Sequence, residues 1–276
     1  MFYRSLATFR TAPTYKIVFV RHGQSEWNEQ RLFTGWYDSQ LTDIGKCEAR
    51  KAGKALKNEF KFDIAYTSKL SRATETLQLI KCQTFQKTMK TISHWRLNER
   101  HYGDLTGKSK EDLRKIYGKK QVQLWRRSFK AIPPPIKTTN PFYECIVNDN
   151  RYDQDLDIDD FPRCESLKMT TQRVLPLWYD QIVPNLKQGK NILLVAHHNS
   201  LRAIIKHIED VPDVLISNYQ LPTGTPFVYT LNMYMKAIPS ISPRFIGSRD
   251  DIEDARKSFG SRKNICNPNT VKCIKK

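Results

Sequence analysis

No apolar run in this 276-residue sequence is long enough to cross a bilayer, and the longest, such as Ile192 to Ala196, stop far short of one. No CxxC pair occurs among the six cysteines (Cys47, Cys82, Cys145, Cys164, Cys266, Cys273), and no secretory signal precedes them. Scattered cysteines of that kind read as free thiols in a reducing compartment, not as disulfides or zinc ligands. His94, His101 and His207 have no metal-ligand spacing among themselves. Asp153, Asp155 and Asp157 begin like a calcium loop, but its sixth position is Ile158 instead of Gly and its twelfth is Cys164 instead of Glu. No metal is expected. Acidic residues are scarce, 28 against 46 Lys plus Arg, which leaves a net charge of +18. That surplus attracts anions, whether nucleic acid, anionic membrane or phosphorylated metabolite. The basic residues are spread along the chain with no zinc-finger, basic-zipper or RNA-recognition signature, so neither nucleic acid nor membrane is the expected partner.

The first acid is Glu26, and residues 1–14 carry Arg4, Arg10, Ser5, Thr8, Thr11 and Thr14. Such a leader suits either a disordered extension or a short mitochondrial transit peptide; the expectation is the extension and a cytoplasmic protein. Cys273-Ile274-Lys275-Lys276 is no prenylation box, since two lysines close it. The chain divides into an extension (1–14), one domain (15–260) and a basic tail (261–276).

Within the domain, short apolar runs alternate with amphipathic stretches, which predicts an α/β fold, a three-layer sandwich around a mostly parallel sheet. Strands are expected at Lys16–Val20, Phe62–Tyr66, Asn191–Ala196 and Phe227–Leu231. Helices are expected at Leu41–Phe60, Lys69–Thr84 and Ser200–Ile208. The first has Thr42 as its cap and Ile44, Cys47, Ala52, Ala55 and Leu56 as its apolar face. Ile132–Cys164, with Pro133-Pro134-Pro135, Pro141 and Pro162, lacks helical period and reads as a long surface excursion, a lid together with the C-terminal tail.

His22 closes the first strand and His197 closes Asn191–Ala196 in the same way. Ligands of open α/β sheets bind beyond the carboxyl ends of the strands, so both histidines belong in one crevice. Around them lie Arg21-His22-Gly23-Gln24-Ser25-Glu26-Trp27-Asn28, Phe33-Thr34-Gly35-Trp36, Thr67-Ser68 with Arg72, and Trp95-Arg96-Leu97-Asn98-Glu99-Arg100-His101-Tyr102-Gly103. Further along come Trp125-Arg126-Arg127-Ser128, Cys164-Glu165-Ser166-Leu167-Lys168, Asn199-Ser200-Leu201-Arg202 and Leu221-Pro222-Thr223-Gly224. In this order, over about residues 15–260, the sequence resembles the phosphoglycerate mutase branch of the histidine phosphatase superfamily.

The resemblance implies phosphoryl transfer through a phosphohistidine at His22, with Arg21, Arg72 and His197 around the transferred group and Glu99 as acid and base. Arginine suits phosphate because its fork stays charged and meets two oxygens at once. By the same resemblance a three-carbon phosphoglycerate is held by Ser25, Asn28, Thr34, Gly35, Arg100, Tyr102, Lys110, Arg126, Arg127, His198 and Asn199. Taken alone, Arg126-Arg127 would be a solvated pair; only their register promotes them. The implied reaction interconverts 3- and 2-phosphoglycerate, primed by 2,3-bisphosphoglycerate, in a homodimer. Two departures stand out. His198 occupies a position where the family has Gly, and it could crowd the pocket, add a cation or swing outward. Lys108 replaces an apolar residue. A bisphosphoglycerate synthase or phosphatase on the same scaffold changes the residues at the positions of Ser25 and Gly35, and both are of mutase type here. A catalytically weakened scaffold protein rests on His198 alone.

Overall fold

The computed structural model describes residues 12–154, 156 and 160–259. Its elements are β1 (Tyr15–Arg21), α1 (Glu26–Glu29), α2 (Asp43–Leu56), β2 (Ile64–Thr67), α3 (Ser71–Gln83), β3 (Lys90–Ser93) and α4 (Lys110–Arg127). They continue with α5 (Tyr143–Val147), α6 (Leu167–Leu177), α7 (Val183–Lys187), β4 (Ile192–Ala196), α8 (His198–Ile208), β5 (Phe227–Leu231), β6 (Arg244–Phe245) and α9 (Arg249–Ser258). The sheet runs β3-β2-β4-β1-β5-β6. Strands β1 to β4 pair in parallel, whereas β5 pairs antiparallel with β1 and with β6.

Alternate residues of the central strands feed two cores. Ile17 and Phe19 of β1 join Leu194, Tyr66 and the apolar faces of α6 and α8 on one side. Val18 and Val20 join Ala65, Leu193 and Val195 against Ala52 and Leu56 of α2 and Leu77 and Ile80 of α3 on the other. The period of two along a strand sends neighbours to opposite faces, and a sheet covered on both faces reads as continuous apolar runs. The expected three-layer sandwich is therefore present.

Two expectations need correction. On α2 the buried face is Gly45, Ala49, Ala52, Gly53 and Leu56, while Ile44 and Cys47 are exposed. The helix lies so close to α3 that a Cβ on Gly53 would come within 2.6 Å of Gln83 Cβ. Small residues, not large ones, make that contact. The excursion 132–164 also carries the short helix α5, and it builds its own cluster, with Ile136, Ile146, Val147, Tyr152 and Phe161 on Trp36 and Trp95. Among the described residues no helix is long and apolar enough to cross a membrane. Residues 1–11 and 260–276, and with them most of the expected extension and the expected tail, lie outside the described residues, as do Asp155 and Asp157.

Candidate active site

Strands β1 and β4 are parallel neighbours in register, Arg21 opposite Ala196, so the residues just beyond them emerge side by side. His22 N donates to Ala196 O at 3.0 Å, and the His22 and His197 rings lie with centroids 4.9 Å apart. His22 Nδ1 is 2.6 Å from Gly23 O. A carbonyl only accepts, so Nδ1 carries the proton and Nε2 keeps its lone pair. Burial, then Arg72 and Arg21, hold the His22 pKa well below its ordinary value. The ring is therefore neutral at pH 7, with a free lone pair on Nε2. Gly23 is required here, because a Cβ on it would meet Gly45 O at 2.2 Å where α2 begins. Thr76 fastens the same turn, accepting from Gly23 N at 3.1 Å and donating to Arg72 O at 2.7 Å.

Arg72 is 1% exposed and donates to the carbonyls of Tyr37 and Gly35, both at 2.8 Å. Burial lowers its pKa to about 10, against the opposing pull of Glu99 and Asp38. Arg21 donates to Leu221 O at 2.7 Å. Glu99 Oε1 accepts from the backbone N–H groups of Arg100 and Asn199 at 2.7 and 3.1 Å. Its own carbonyl takes Trp36 Nε1 at 2.6 Å and Arg173 Nη2 at 2.9 Å. The buried Arg173–Glu165 pair, at 2.6 Å, therefore anchors the loop that carries Glu99. His197 is wholly buried beside Ser68, whose Oγ lies 2.7 Å from its Nε2.

These groups surround a cavity of about 180 Å³. Its wall holds five cations, Arg21, Arg72, Lys110, Arg126 and Arg127, against one carboxylate, Glu99. That imbalance suits a small polyanion. Lys110 reaches the wall because the 31–33 turn pairs with 107–110, Phe33 N on Lys108 O and Lys110 N on Arg31 O. Helix α4 breaks at Gly118, where φ is 80° and ψ 154°, so Lys110 and the Arg126/Arg127 pair sit on separate helical arms.

The family model of the histidine phosphatase superfamily (branch 1) matches residues 17–146. A 2,3-bisphosphoglycerate-dependent phosphoglycerate mutase from Mannheimia succiniciproducens is 47% identical over 224 residues, which cover 81% of this chain and 97% of that protein. The chain belongs to the histidine phosphatase superfamily. Among solved structures, a phosphoglycerate mutase from Bacillus anthracis aligns with a TM-score of 0.58 at 19% identity, over 80% of this chain and 89% of that one. A mycobacterial glucosyl-3-phosphoglycerate phosphatase aligns at 0.62 and 18%, over 84% and 96%. At such identities these two bear on the fold alone.

Of the residues that the superfamily resemblance marks, the cavity is lined by Arg21, His22, Asn28, Thr34, Gly35, Arg72, Glu99, Tyr102, Lys110, Arg126, Arg127, His198 and Asn199. Ser25, Arg100 and His197 stand behind this wall. Ser25 caps α1, accepting from Asn28 N. Arg100 is fully buried and donates to the carbonyls of Trp125 and Arg126, so it fixes the end of α4 from behind. No described residue of 132–164 lines the cavity, which leaves the expected lid role of that segment without a contact here. Gln220 joins the wall without any sequence signal beyond its place before Leu221. Lys108 is exposed and pairs with Asp104 at 2.7 Å, turned to water. His198 faces inward. It is the first residue of α8 and is absent from the positive-φ residues, so this position asks for no glycine conformation. Burial and the guanidiniums of Arg21, Arg202, Arg127 and Arg100 hold its pKa well below the ordinary value, so it adds no cation. Among the described residues no group of three or more His, Cys, Asp and Glu is placed to hold a metal.

Proposed function

We propose that this protein is a 2,3-bisphosphoglycerate-dependent phosphoglycerate mutase that interconverts 3- and 2-phosphoglycerate through phospho-His22. The observation that carries the reading is the neutral His22, its Nδ1 proton held by Gly23 O and Nε2 left as the nucleophile, in a cavity with five cations and one carboxylate. The extended identity to the Mannheimia mutase supports the substrate. When bound, 2,3-bisphosphoglycerate supplies the phosphoryl group that loads His22, and the cationic wall fits its charge. Phospho-His22 then passes that group to the free C2 hydroxyl of 3-phosphoglycerate: the N–P bond breaks, the O–P bond forms and Glu99 takes the hydroxyl proton. His22 Nε2 next attacks the C3 phosphoryl, and Glu99 returns its proton to the departing C3 oxygen, giving 2-phosphoglycerate. Arg21 and Arg72 offset the charge of the phosphoryl group in flight, and the buried, neutral His197 packs its ring beside that of His22. A cation about 4 Å from a phosphate oxygen contributes roughly 4 kcal/mol at an effective dielectric near 20, so positioning and charge supply most of what phosphoryl transfer needs.

Asn28, Thr34, Tyr102, Lys110, Arg126, Arg127 and Asn199 hold the carboxylate and the second anionic group. The resemblance also supports a homodimer, and the scattered cysteines support a reducing compartment such as the cytoplasm. The test is a coupled mutase assay on purified protein with and without 2,3-bisphosphoglycerate. Turnover that depends on the primer is expected. Release of inorganic phosphate in place of 2-phosphoglycerate would move the protein to the phosphatase side of its superfamily.

A further inference from the structure

His198 stands where the resembling sequences have Gly, and its placement gives it a task. Its ring is half-buried in the cavity wall, with Nε2 3.3 Å from Arg127 Nη1. A guanidinium has five donors and no acceptor. The ring nitrogen that faces it must therefore accept, which makes His198 the neutral tautomer with its proton on Nδ1. The surrounding guanidiniums and burial keep the ring in that form at neutral pH. Arg127 closes α4, where Arg202 Nη2 donates to its backbone carbonyl at 3.1 Å. Its main chain is thus fixed, and His198 is the side-chain acceptor that the described residues offer its guanidinium.

We propose that His198 is a positioning residue for Arg127: a neutral imidazole acceptor that holds the guanidinium in the cavity wall before an anionic substrate arrives. A long side chain aligned in advance loses less freedom on binding, so affinity gains. Without that acceptor the guanidinium must be ordered by the substrate itself. The effect falls on KM and spares kcat, because in the substrate clamp, apart from the groups around the transferred phosphoryl, Arg127 would contribute equally to ground and transition states. The inference rests on the assignment of Arg127 to the substrate clamp.

The experiment is steady-state kinetics with 3-phosphoglycerate, primer saturating, on the wild type, His198→Gly, His198→Gln, Arg127→Ala and the double variant Arg127→Ala/His198→Gly. We expect His198→Gly to raise KM about tenfold, the size of one hydrogen bond to a charged group, with kcat within about twofold. His198→Gln keeps an uncharged acceptor at similar reach and should stay within about threefold of wild-type KM. The double variant should match Arg127→Ala, because a residue that acts through Arg127 has nothing left to act on. An unchanged KM in His198→Gly, or an effect that persists in the Arg127→Ala background, overturns the role of His198 alone. A wild-type KM in Arg127→Ala overturns the clamp assignment itself. Independently of any substrate, a ¹⁵N spectrum of the free protein should show His198 protonated on Nδ1; an Nε2–H tautomer overturns the proposal.

Discussion

Lys110 opens α4 with its ammonium in the cavity wall, donating to Leu32 O at 2.9 Å and lying 5.6 Å from the centre of the Phe33 ring. Burial first, then Arg126, Arg21 and Arg127, bring its pKa from 10.5 to about 7, with Glu99 opposing. In the free protein half of this charge is therefore lost near neutrality. A bound phosphoglycerate brings negative charge to the same wall and favours the ammonium, so the pKa in the complex is higher. Binding then takes up a proton above pH 7. Affinity is greatest below about pH 7 and falls by up to about tenfold per unit above it, which amounts to about fifteenfold between about pH 7 and about pH 8.5. That window avoids the second ionisation of the substrate phosphate, near pH 6. The assay is KM for 3-phosphoglycerate across it, on the wild type and on Lys110→Arg, whose guanidinium keeps its charge throughout. The variant should be flat where the wild type rises. A wild-type KM that stays constant, or a slope equally steep in Lys110→Arg, would refute the reasoning. Stability runs the other way. With the folded pKa below the unfolded one, the unfolded chain binds the extra proton between about pH 7 and pH 10.5, so stability rises through that range. Below pH 7 the folded protein carries the whole cost of the buried ammonium. Lys110→Met should therefore unfold at a higher denaturant concentration than wild type at pH 6, while binding substrate more weakly.

His22→Ala should abolish both the acid-labile phosphoenzyme and turnover; a normal level of phosphoprotein in that variant, seen with labelled primer, would remove His22 as the carrier. Mutase activity should survive prolonged chelation, since side chains supply nucleophile, cations and acid/base; loss that manganese or zinc restores would contradict that. A chain beginning at Tyr15 should fold and turn over as the full chain does, and a mitochondrial signal that disappears with residues 1–14 would overturn the cytoplasmic expectation. Arg173→Ala leaves the buried Glu165 carboxylate without its partner and frees the carbonyls of Arg96, Asn98 and Glu99. It should destabilise the fold by roughly 3–5 kcal/mol in denaturant titration, and a loss under 1 kcal/mol would show that the pair anchors nothing.

Strands β1 and β4 were legible because each holds an uninterrupted apolar run, Ile17–Val20 and Ile192–Ala196, the signature of a strand buried on both faces. Strand β3, at the sheet edge, was not: Lys90-Thr91-Ile92-Ser93 is mostly exposed and has neither a long run nor a clear alternation. On α2 the hydrophobic period pointed to Ile44 and Cys47, but the close approach to α3 at Gly53 selected glycine and alanine for the buried face. Periodicity reports where apolar volume lies. It does not report how near two helices come.

The site divides along the same line. That His22 and His197 belong together followed from two residues at equivalent strand ends, and the β1–β4 pairing explains why that inference works. Arg100 stands in the same run of sequence as Glu99, yet its side chain turns back to hold the end of α4, because consecutive residues leave the chain in different directions. The burial that gives Lys110 a pKa of about 7 and the acceptor that His198 offers Arg127 are properties of assembled walls, drawn from α4, α8 and the 31–33 turn. No local pattern encodes them. Burial first, and then the repulsion among the cations of one small cavity, lower the pKa of Lys110 and keep His198 neutral. The binding of an anion relieves that repulsion, so the part of the Lys110 shift that comes from Arg126, Arg21 and Arg127 is returned as affinity for phosphoglycerate.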